Sequence, residues 1–70
     1  MILYIVTAYR HGNREGHRYH VGTYEDYKIA FDEAYKEEEK RSHKYECEII
    51  QQGKEIDDQK VIKNIYSDRN

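Results

Sequence analysis

One segment of this 70-residue chain has a helical period, and segments with strand character flank it on both sides. In residues 26–41 a face repeats at i, i+3, i+4 and i+7, and its members are Tyr27, Ala30, Phe31, Ala34 and Glu38, four of them apolar. Thr23 or Asp26 can cap the amino end of this helix, and acidic residues are expected to crowd its first turn. Glu37 and Arg41 are one turn apart and are expected to pair.

Three segments predict β-strands. Residues 2–8 are β-branched and aromatic and are apolar on both faces, which indicates a central strand covered on both sides, or covered on one side by a partner subunit. Residues 17–23 and 44–51 alternate between apolar and polar side chains, as half-exposed strands do. Gln52 and Gly53 then form a turn.

The carboxyl-terminal tail has two interpretations. Val61, Ile62, Ile65 and Tyr66 have helical spacing after Asp58, which favours a short helix, and the same residues can form a fourth, edge strand. We therefore predict an α+β fold of β-β-α-β order, in which one helix packs on an antiparallel or mixed three-stranded sheet of order 2-1-3. Residues 1–70 make one domain with a core in 2–51, and 57–70 form a mobile or oligomer-forming tail.

Size and composition favour a small cytoplasmic protein that associates with itself. Apolar and charged residues each make up 37% of the chain, so the core is thin, and a homo-oligomer would relieve that shortage. The lone Cys47 excludes an internal disulfide and indicates a reducing compartment. The apolar start is too short for a secretory signal, and no segment approaches the ~20 apolar residues of a membrane span.

The polar loop at residues 10–19 indicates a recognition site for an anion. In the predicted topology this loop and the basic junction at 40–44 lie at the same end of the sheet. Arginine forks suit phosphate or carboxylate, and a tyrosine ring can stack on a base. The net charge of −2 argues against general nucleic-acid binding. The predicted ligand-binding residues are Arg10, Arg14, His17, Tyr19, Arg41 and Lys44.

Other interpretations of the same residues compete with this site. The arginines can instead pair with Glu15 and with the run 37–39, which is otherwise expected to be mostly solvated. His11, His17, His20 and His43 lack the spacing of a metal site, and Cys47 on an apolar face is more typical of a small buried side chain than of a nucleophile. We predict no catalytic residue, no metal and no cofactor, and hence not an enzyme; a hydrolase or nuclease that uses the histidines is the third hypothesis.

Several short motifs resemble those of small uncharacterised proteins encoded by phages and bacterial mobile elements. The similarity covers about residues 2–50, and its motifs are Tyr4-Ile5-Val6-Thr7, Arg10 with Gly12, Arg14-Glu15 with His17, Val21-Gly22, Glu37-Glu38-Glu39 with Arg41, and Lys44-Tyr45-Glu46-Cys47-Glu48. Such proteins often carry two glycines directly after the arginine that corresponds to Arg41, whereas this chain has Ser42 and His43 there. The resemblance implies a phage-type accessory protein that acts against host defence, in the host cytosol.

Two functions follow as expectations. The first is a non-enzymatic, oligomeric protein that binds and sequesters a small phosphorylated ligand, such as a nucleotide immune signal. The second is a protein–protein inhibitor of a host defence or nucleic-acid-binding protein, which would act through an acidic helix face formed by Asp32, Glu33, Glu37, Glu38 and Glu39.

Overall fold

The computed structural model describes residues 2–53 and 59–64, which form four strands and one helix. Strands β1 (Leu3–Arg10) and β2 (Asn13–Tyr24) form a hairpin, and helix α1 (Tyr27–Lys40) leads to strands β3 (Tyr45–Gln52) and β4 (Gln59–Asn64). The strands pair antiparallel in the order β2-β1-β3-β4, so β1 and β3 are central. The α+β class and the β-β-α-β core agree with the prediction.

The sheet has four strands and not three, and of the two interpretations of the tail the fourth, edge strand is correct, whereas the favoured short helix is wrong for residues 59–64. The reason is a β-bulge in β4: Ile49 pairs with Lys63 whereas Ile50 pairs with Val61, which leaves Ile62 as an extra residue. Ile62 packs against the core and its neighbour Val61 is 55% exposed. Two consecutive apolar residues therefore fit a bulged edge strand, although their spacing suggested a helix. Ile65 and Tyr66 lie outside the described residues.

The helix begins and ends close to the predicted residues. Asp26 caps its amino end, because the carboxylate accepts hydrogen bonds from the backbone N–H groups of Lys28 at 2.8 Å and Ile29 at 3.4 Å. The first turn contains no acidic residue, so the expected crowding of acids there is wrong. Arg41 is the carboxyl-terminal cap, and its backbone N–H bonds back to the carbonyl of Glu37 at 3.1 Å.

The core lies between the helix and one face of the sheet. Its fully buried apolar members among the described residues are mostly small, and they are Val6, Ala8, Ala30, Ala34, Cys47 and Ile49. Tyrosines and other half-buried side chains surround them, which supplies apolar area that the small residues lack.

Glu38 departs most from what the sequence suggested. Its side chain is fully buried, and its carboxylate accepts a hydrogen bond of 2.8 Å from the backbone N–H of Cys47. In the described residues β4 pairs with β3 only from Glu48 onward, so the carboxylate provides an acceptor where that pairing stops. The expectation that the run 37–39 is mostly solvated is therefore wrong for Glu38, and Glu37 is also half-buried.

The other face of the sheet, called the open face below, points away from the helix. It carries alternate residues of β1, beginning at Leu3, together with the residues that pair with them on β2 and β3. No described element packs on this face. Among the described elements the helix covers the central strand β1 on one side, and the cover expected on its other side, from the chain or from a partner subunit, stays a prediction. The described part of the chain also has no helix that is both long and apolar enough to cross a membrane.

Two irregularities shape the hairpin on the β2 side. Tyr9 pairs with Arg18 whereas the next residue, Arg10, pairs with Asn13, so residues 14–17 form an extra loop within β2. A single extra residue, Val21, marks a second bulge. The side chain of Asn13 accepts a hydrogen bond of 3.1 Å from the backbone N–H of Gly16, which closes the loop on itself. This loop determines where Arg14 lies.

Candidate functional site

The polar loop at residues 10–19 and the basic junction at residues 40–44, which were expected to lie at the same end of the sheet, are in contact. The backbone N–H of His11, in the turn between β1 and β2, donates a hydrogen bond of 3.2 Å to the carbonyl of Lys44. Arg10, at the end of β1, pairs with Tyr45, at the start of β3. Arg10, Arg41 and Lys44 are therefore placed at one end of the molecule, and all three are exposed.

The turn that leads from the helix to β3 has an unusual backbone. Ser42 and His43 both have positive φ angles, of 56° and 61°, a region that favours glycine. Two hydrogen bonds hold them there: the backbone N–H of His43 donates to the carbonyl of Glu38 at 2.8 Å, and that of Lys44 donates to the carbonyl of Arg41 at 3.1 Å. This turn sets the positions of Arg41 and Lys44 relative to the sheet.

On the helix side of the sheet, two arginines and two tyrosines form a continuous row, called the helix-side cluster below. The Arg10 guanidinium lies 5.8 Å from the centre of the Tyr45 ring. Tyr45 and Tyr19 meet edge to face with ring centres 5.5 Å apart, and the Arg41 guanidinium lies 5.4 Å from the centre of the Tyr19 ring. Each arginine is within the ~6 Å at which a cation is attracted to a ring face.

Glu37 connects this cluster to the helix. The Tyr19 hydroxyl donates a hydrogen bond to the Glu37 carboxylate, and Arg41 Nε lies 3.2 Å from both the Tyr19 hydroxyl oxygen and Glu37 Oε2. The expected pair of Glu37 and Arg41 is thus confirmed. Burial, together with the bond to Glu37, raises the pKa of Tyr19 to about 12, so its phenol stays neutral at physiological pH. The hydrogen bond from Tyr19, with help from Arg41, lowers the pKa of Glu37.

The structure places Arg14 on the opposite, open face of the sheet. Its guanidinium lies 4.4 Å from the centre of the Tyr9 ring, with Nε 3.2 Å from Glu46 Oε1 and Nη2 hydrogen-bonded to the Glu48 carboxylate. The hydrogen bond to Glu48 raises the pKa of Arg14. We call Tyr9, Arg14, Glu46 and Glu48 the open-face cluster.

Four of the six predicted ligand-binding residues therefore lie at one end, namely Arg10, Tyr19, Arg41 and Lys44. Arg14 is separated from Tyr19 and Arg41 by the sheet, and His17 is exposed in the loop of residues 14–17. The sequence analysis did not include Tyr45 in the site, although its ring packs against the core and also contacts Arg10 and Tyr19. It also missed the carboxylates that bind Arg14, although the alternation of β3 had placed Glu46 and Glu48 on one face.

The structure also locates the residues of the two other candidate sites, the cysteine nucleophile and the metal site. Cys47 is fully buried in the core. Within residues 2–53 and 59–64, no three side chains from His, Cys, Asp and Glu come close enough together to hold a metal ion.

The chain matches no protein-family model, no curated protein and no solved structure. The resemblance to phage-encoded proteins stays a prediction, and the geometry of the two clusters is what supports a function.

Proposed function

We propose that this protein binds a small phosphorylated ligand that carries an aromatic ring, a nucleotide in the first instance, at the helix-side cluster, and sequesters it without chemical change. The observation that carries the proposal is the continuous row of Arg10, Tyr45, Tyr19 and Arg41. Cations and rings are the two groups that a nucleotide needs, for its phosphate and for its base.

The charge at this end supports phosphate binding. Arg10, Arg41 and Lys44 contribute three positive charges and Glu37 one negative charge, which leaves +2. Among the described residues, no carboxylate forms an ion pair with Arg10 or Lys44. Arg41 is bound to Glu37 and Tyr19 through Nε, and its side chain is 49% exposed, so its two terminal nitrogens, which make no hydrogen bond to the described residues, can form a bidentate contact.

The fixed orientation of Arg41 also favours binding. An exposed arginine loses rotamer freedom when it captures a ligand, whereas Arg41 is already held over the Tyr19 ring by two hydrogen bonds. The guanidinium planes and the Tyr45 ring offer surfaces on which a base can stack.

The test is isothermal titration calorimetry with three kinds of ligand: cyclic and linear nucleotides, nucleosides without phosphate, and ribose 5-phosphate without a base. We expect heat of binding for at least one nucleotide and at least tenfold weaker binding for the other two kinds, since each lacks one of the two contacts. Arg41→Gln and Arg10→Gln are each expected to weaken nucleotide binding by roughly 10-fold to 100-fold, the usual worth of a charge-assisted contact.

Arg14→Gln is the matched control. It removes an arginine that also lies over a tyrosine and beside carboxylates, but on the opposite face of the sheet. Binding should be unchanged in this variant. The proposal fails if no nucleotide in the panel binds, or if Arg14→Gln weakens binding as much as Arg41→Gln does.

The second function considered from the sequence, an inhibitor with an acidic helix face, has less support. Of the five acids assigned to that face, Glu38 is buried, Glu37 is bound to Tyr19 and Arg41, and Glu33 lies 3.5 Å from Lys36. Asp32 and Glu39 are the exposed acids of the five. The acids therefore do not form one continuous surface that a basic partner could contact.

A further inference from the structure

We propose that Glu37 selects for a hydroxyl group on the sugar of the ligand, so that ribonucleotides bind more tightly than nucleotides whose sugar hydroxyls are missing. The inference deepens the proposed function and rests on it, because it adds one contact to a nucleotide that is held at the helix-side cluster. It starts from one oxygen atom of Glu37 that accepts no hydrogen bond from the described residues.

The two carboxylate oxygens of Glu37 have different surroundings. Oε2 accepts the hydrogen bond from the Tyr19 hydroxyl and a second one, of 3.2 Å, from Arg41 Nε, so both of its lone pairs are used. Oε1 accepts no hydrogen bond within residues 2–53 and 59–64. It is open to solvent, since no buried carboxylate oxygen among those residues lacks a hydrogen-bond partner. A ligand can therefore reach this acceptor.

The free oxygen is also held in a fixed position. Rotation of the carboxylate would break the hydrogen bonds that Tyr19 and Arg41 donate to Oε2. Because the two oxygens share one carbon atom, Oε1 stays next to the point at which the Tyr19 hydroxyl and Arg41 meet. An acceptor that is already oriented loses little conformational freedom when a ligand binds to it.

The order of groups along the helix-side cluster matches the order of groups in a nucleotide. Under the proposed function the base stacks on the Tyr45 ring and the phosphate contacts the terminal nitrogens of Arg41, and Tyr19 lies between these two residues. Glu37 is bonded to Tyr19, so its free oxygen lies beside this middle part of the cluster. The sugar joins the base to the phosphate in a nucleotide, and its hydroxyl groups are therefore the donors that face Glu37.

A carboxylate oxygen discriminates between ligands because it can only accept a hydrogen bond. A sugar hydroxyl donates one to Oε1. A deoxygenated carbon in the same place displaces water from a charged oxygen and supplies no bond in return, so the ligand that carries it binds more weakly.

The test is isothermal titration calorimetry with matched pairs of nucleotides. Ribonucleoside 5′-monophosphates are compared with their 2′,3′-dideoxy counterparts, and 3′,5′-cyclic ribonucleotides with their 2′-deoxy counterparts. We expect the wild type to bind each ribonucleotide that it recognises at least ~10-fold more tightly than the counterpart without the hydroxyl, which is the usual effect of a hydrogen bond to a charged group.

Glu37→Gln tests the residue itself. The amide oxygen can still accept hydrogen bonds from Tyr19 and Arg41, while an uncharged NH₂ group replaces the free oxygen. The preference for the ribonucleotide should fall to about threefold, because a neutral hydrogen bond has roughly half the strength of a charge-assisted one. The deoxy counterpart should bind more tightly than it does to the wild type, since a negative charge close to its phosphate is gone.

This second change separates a direct contact from a role in positioning Arg41, because a loss of positioning would weaken both ligands equally. Glu33→Gln is the matched control: it removes a carboxylate that lies one turn earlier on the same helix and beside Lys36, and it should keep the full preference.

Three results would overturn the inference and leave the proposed function standing. They are equal binding of a ribonucleotide and its deoxy counterpart to the wild type, an undiminished preference in Glu37→Gln, and equal weakening of both ligands in that variant. A panel in which no nucleotide binds would overturn both proposals. The comparison of ligands on the wild type needs no substitution, so it decides the matter even if Glu37→Gln does not fold.

Discussion

The helix-side and open-face clusters contain the same types of residue but differ in net charge. Each places an arginine over a tyrosine ring and beside carboxylates: Arg41 over Tyr19 on one face of the sheet, and Arg14 over Tyr9 on the other. Arg14 faces two carboxylates, so its cluster keeps a negative charge. Arg41 contacts one carboxylate, that of Glu37, which also accepts a hydrogen bond from the Tyr19 hydroxyl group. Two further cations, Arg10 and Lys44, lie at the same end of the molecule.

A ring beneath an arginine does not by itself leave that arginine available to an anion, because Arg14 has such a ring and is paired with two carboxylates. What distinguishes the two clusters is the number of carboxylates that each arginine must share. This difference is why we propose ligand binding at the helix-side cluster and not at the open-face cluster, and it can be tested by changing the matching residues of the two clusters.

The largest difference in stability should come from the two tyrosine hydroxyl groups. Tyr19→Phe removes a half-buried hydroxyl that donates to Glu37 and accepts from Arg41, and it should lower the free energy of unfolding by ~1.5 kcal/mol. Tyr9→Phe leaves the ring beneath Arg14 and should change the free energy of unfolding by less than ~0.5 kcal/mol. Urea denaturation of both variants measures the difference, and a loss in Tyr19→Phe no larger than the loss in Tyr9→Phe would contradict the prediction.

The second difference is in the response to acid. The pKa of Glu37 is lower in the folded protein than its ordinary value of 4.5. The folded state therefore gains stability from this carboxylate above about pH 4.5, and loses it as the pH falls through the lower, folded-state pKa. Between about pH 6 and about pH 3, the free energy of unfolding of the wild type should therefore fall by more than that of Glu37→Gln does.

Glu33→Gln is the control for this measurement, because it removes a carboxylate from a solvent-exposed pair on the same helix. Its free energy of unfolding should follow that of the wild type as the pH falls. If Glu37→Gln and the wild type lose stability in parallel, Glu37 does not carry the acid sensitivity.

The smallest effect concerns the turn that positions Arg41 and Lys44. Ser42→Gly relieves a positive φ angle at an exposed residue and should raise the free energy of unfolding by ~0.5 kcal/mol. Ser42→Ala keeps the Cβ atom and should not stabilise the protein. Thermal unfolding compares the two variants, and a gain in Ser42→Ala as large as that in Ser42→Gly would exclude backbone strain as the cause.

The sequence predicted those features that depend on local periodicity. The helix at 27–40, its cap at Asp26 and the Glu37–Arg41 pair all follow from spacing along one helix. The meeting of His11 and Lys44 follows from the order of the elements, because two connections at one end of a small sheet are close in space.

The features that were missed depend on contacts between elements. The helical period placed Glu38 on the same face as Ala30 and Ala34, but nothing in the sequence shows that the backbone N–H of Cys47 on β3 would bind its buried carboxylate. The position of Arg14 depends on an extra loop in β2, and hence on strand register that periodicity does not reveal. The bulge at Ile62 likewise gave residues 61 and 62 a helical spacing, so the sequence favoured a helix over the edge strand that it also allowed.

The buried hydrogen bond between Glu38 and Cys47 has a practical consequence. The acceptor belongs to the helix and the donor to the sheet, so the Cys47 amide proton can report whether these two layers are in contact. Its rate of hydrogen–deuterium exchange, read from one NMR resonance, would follow undocking of the helix separately from fraying of the outer strands.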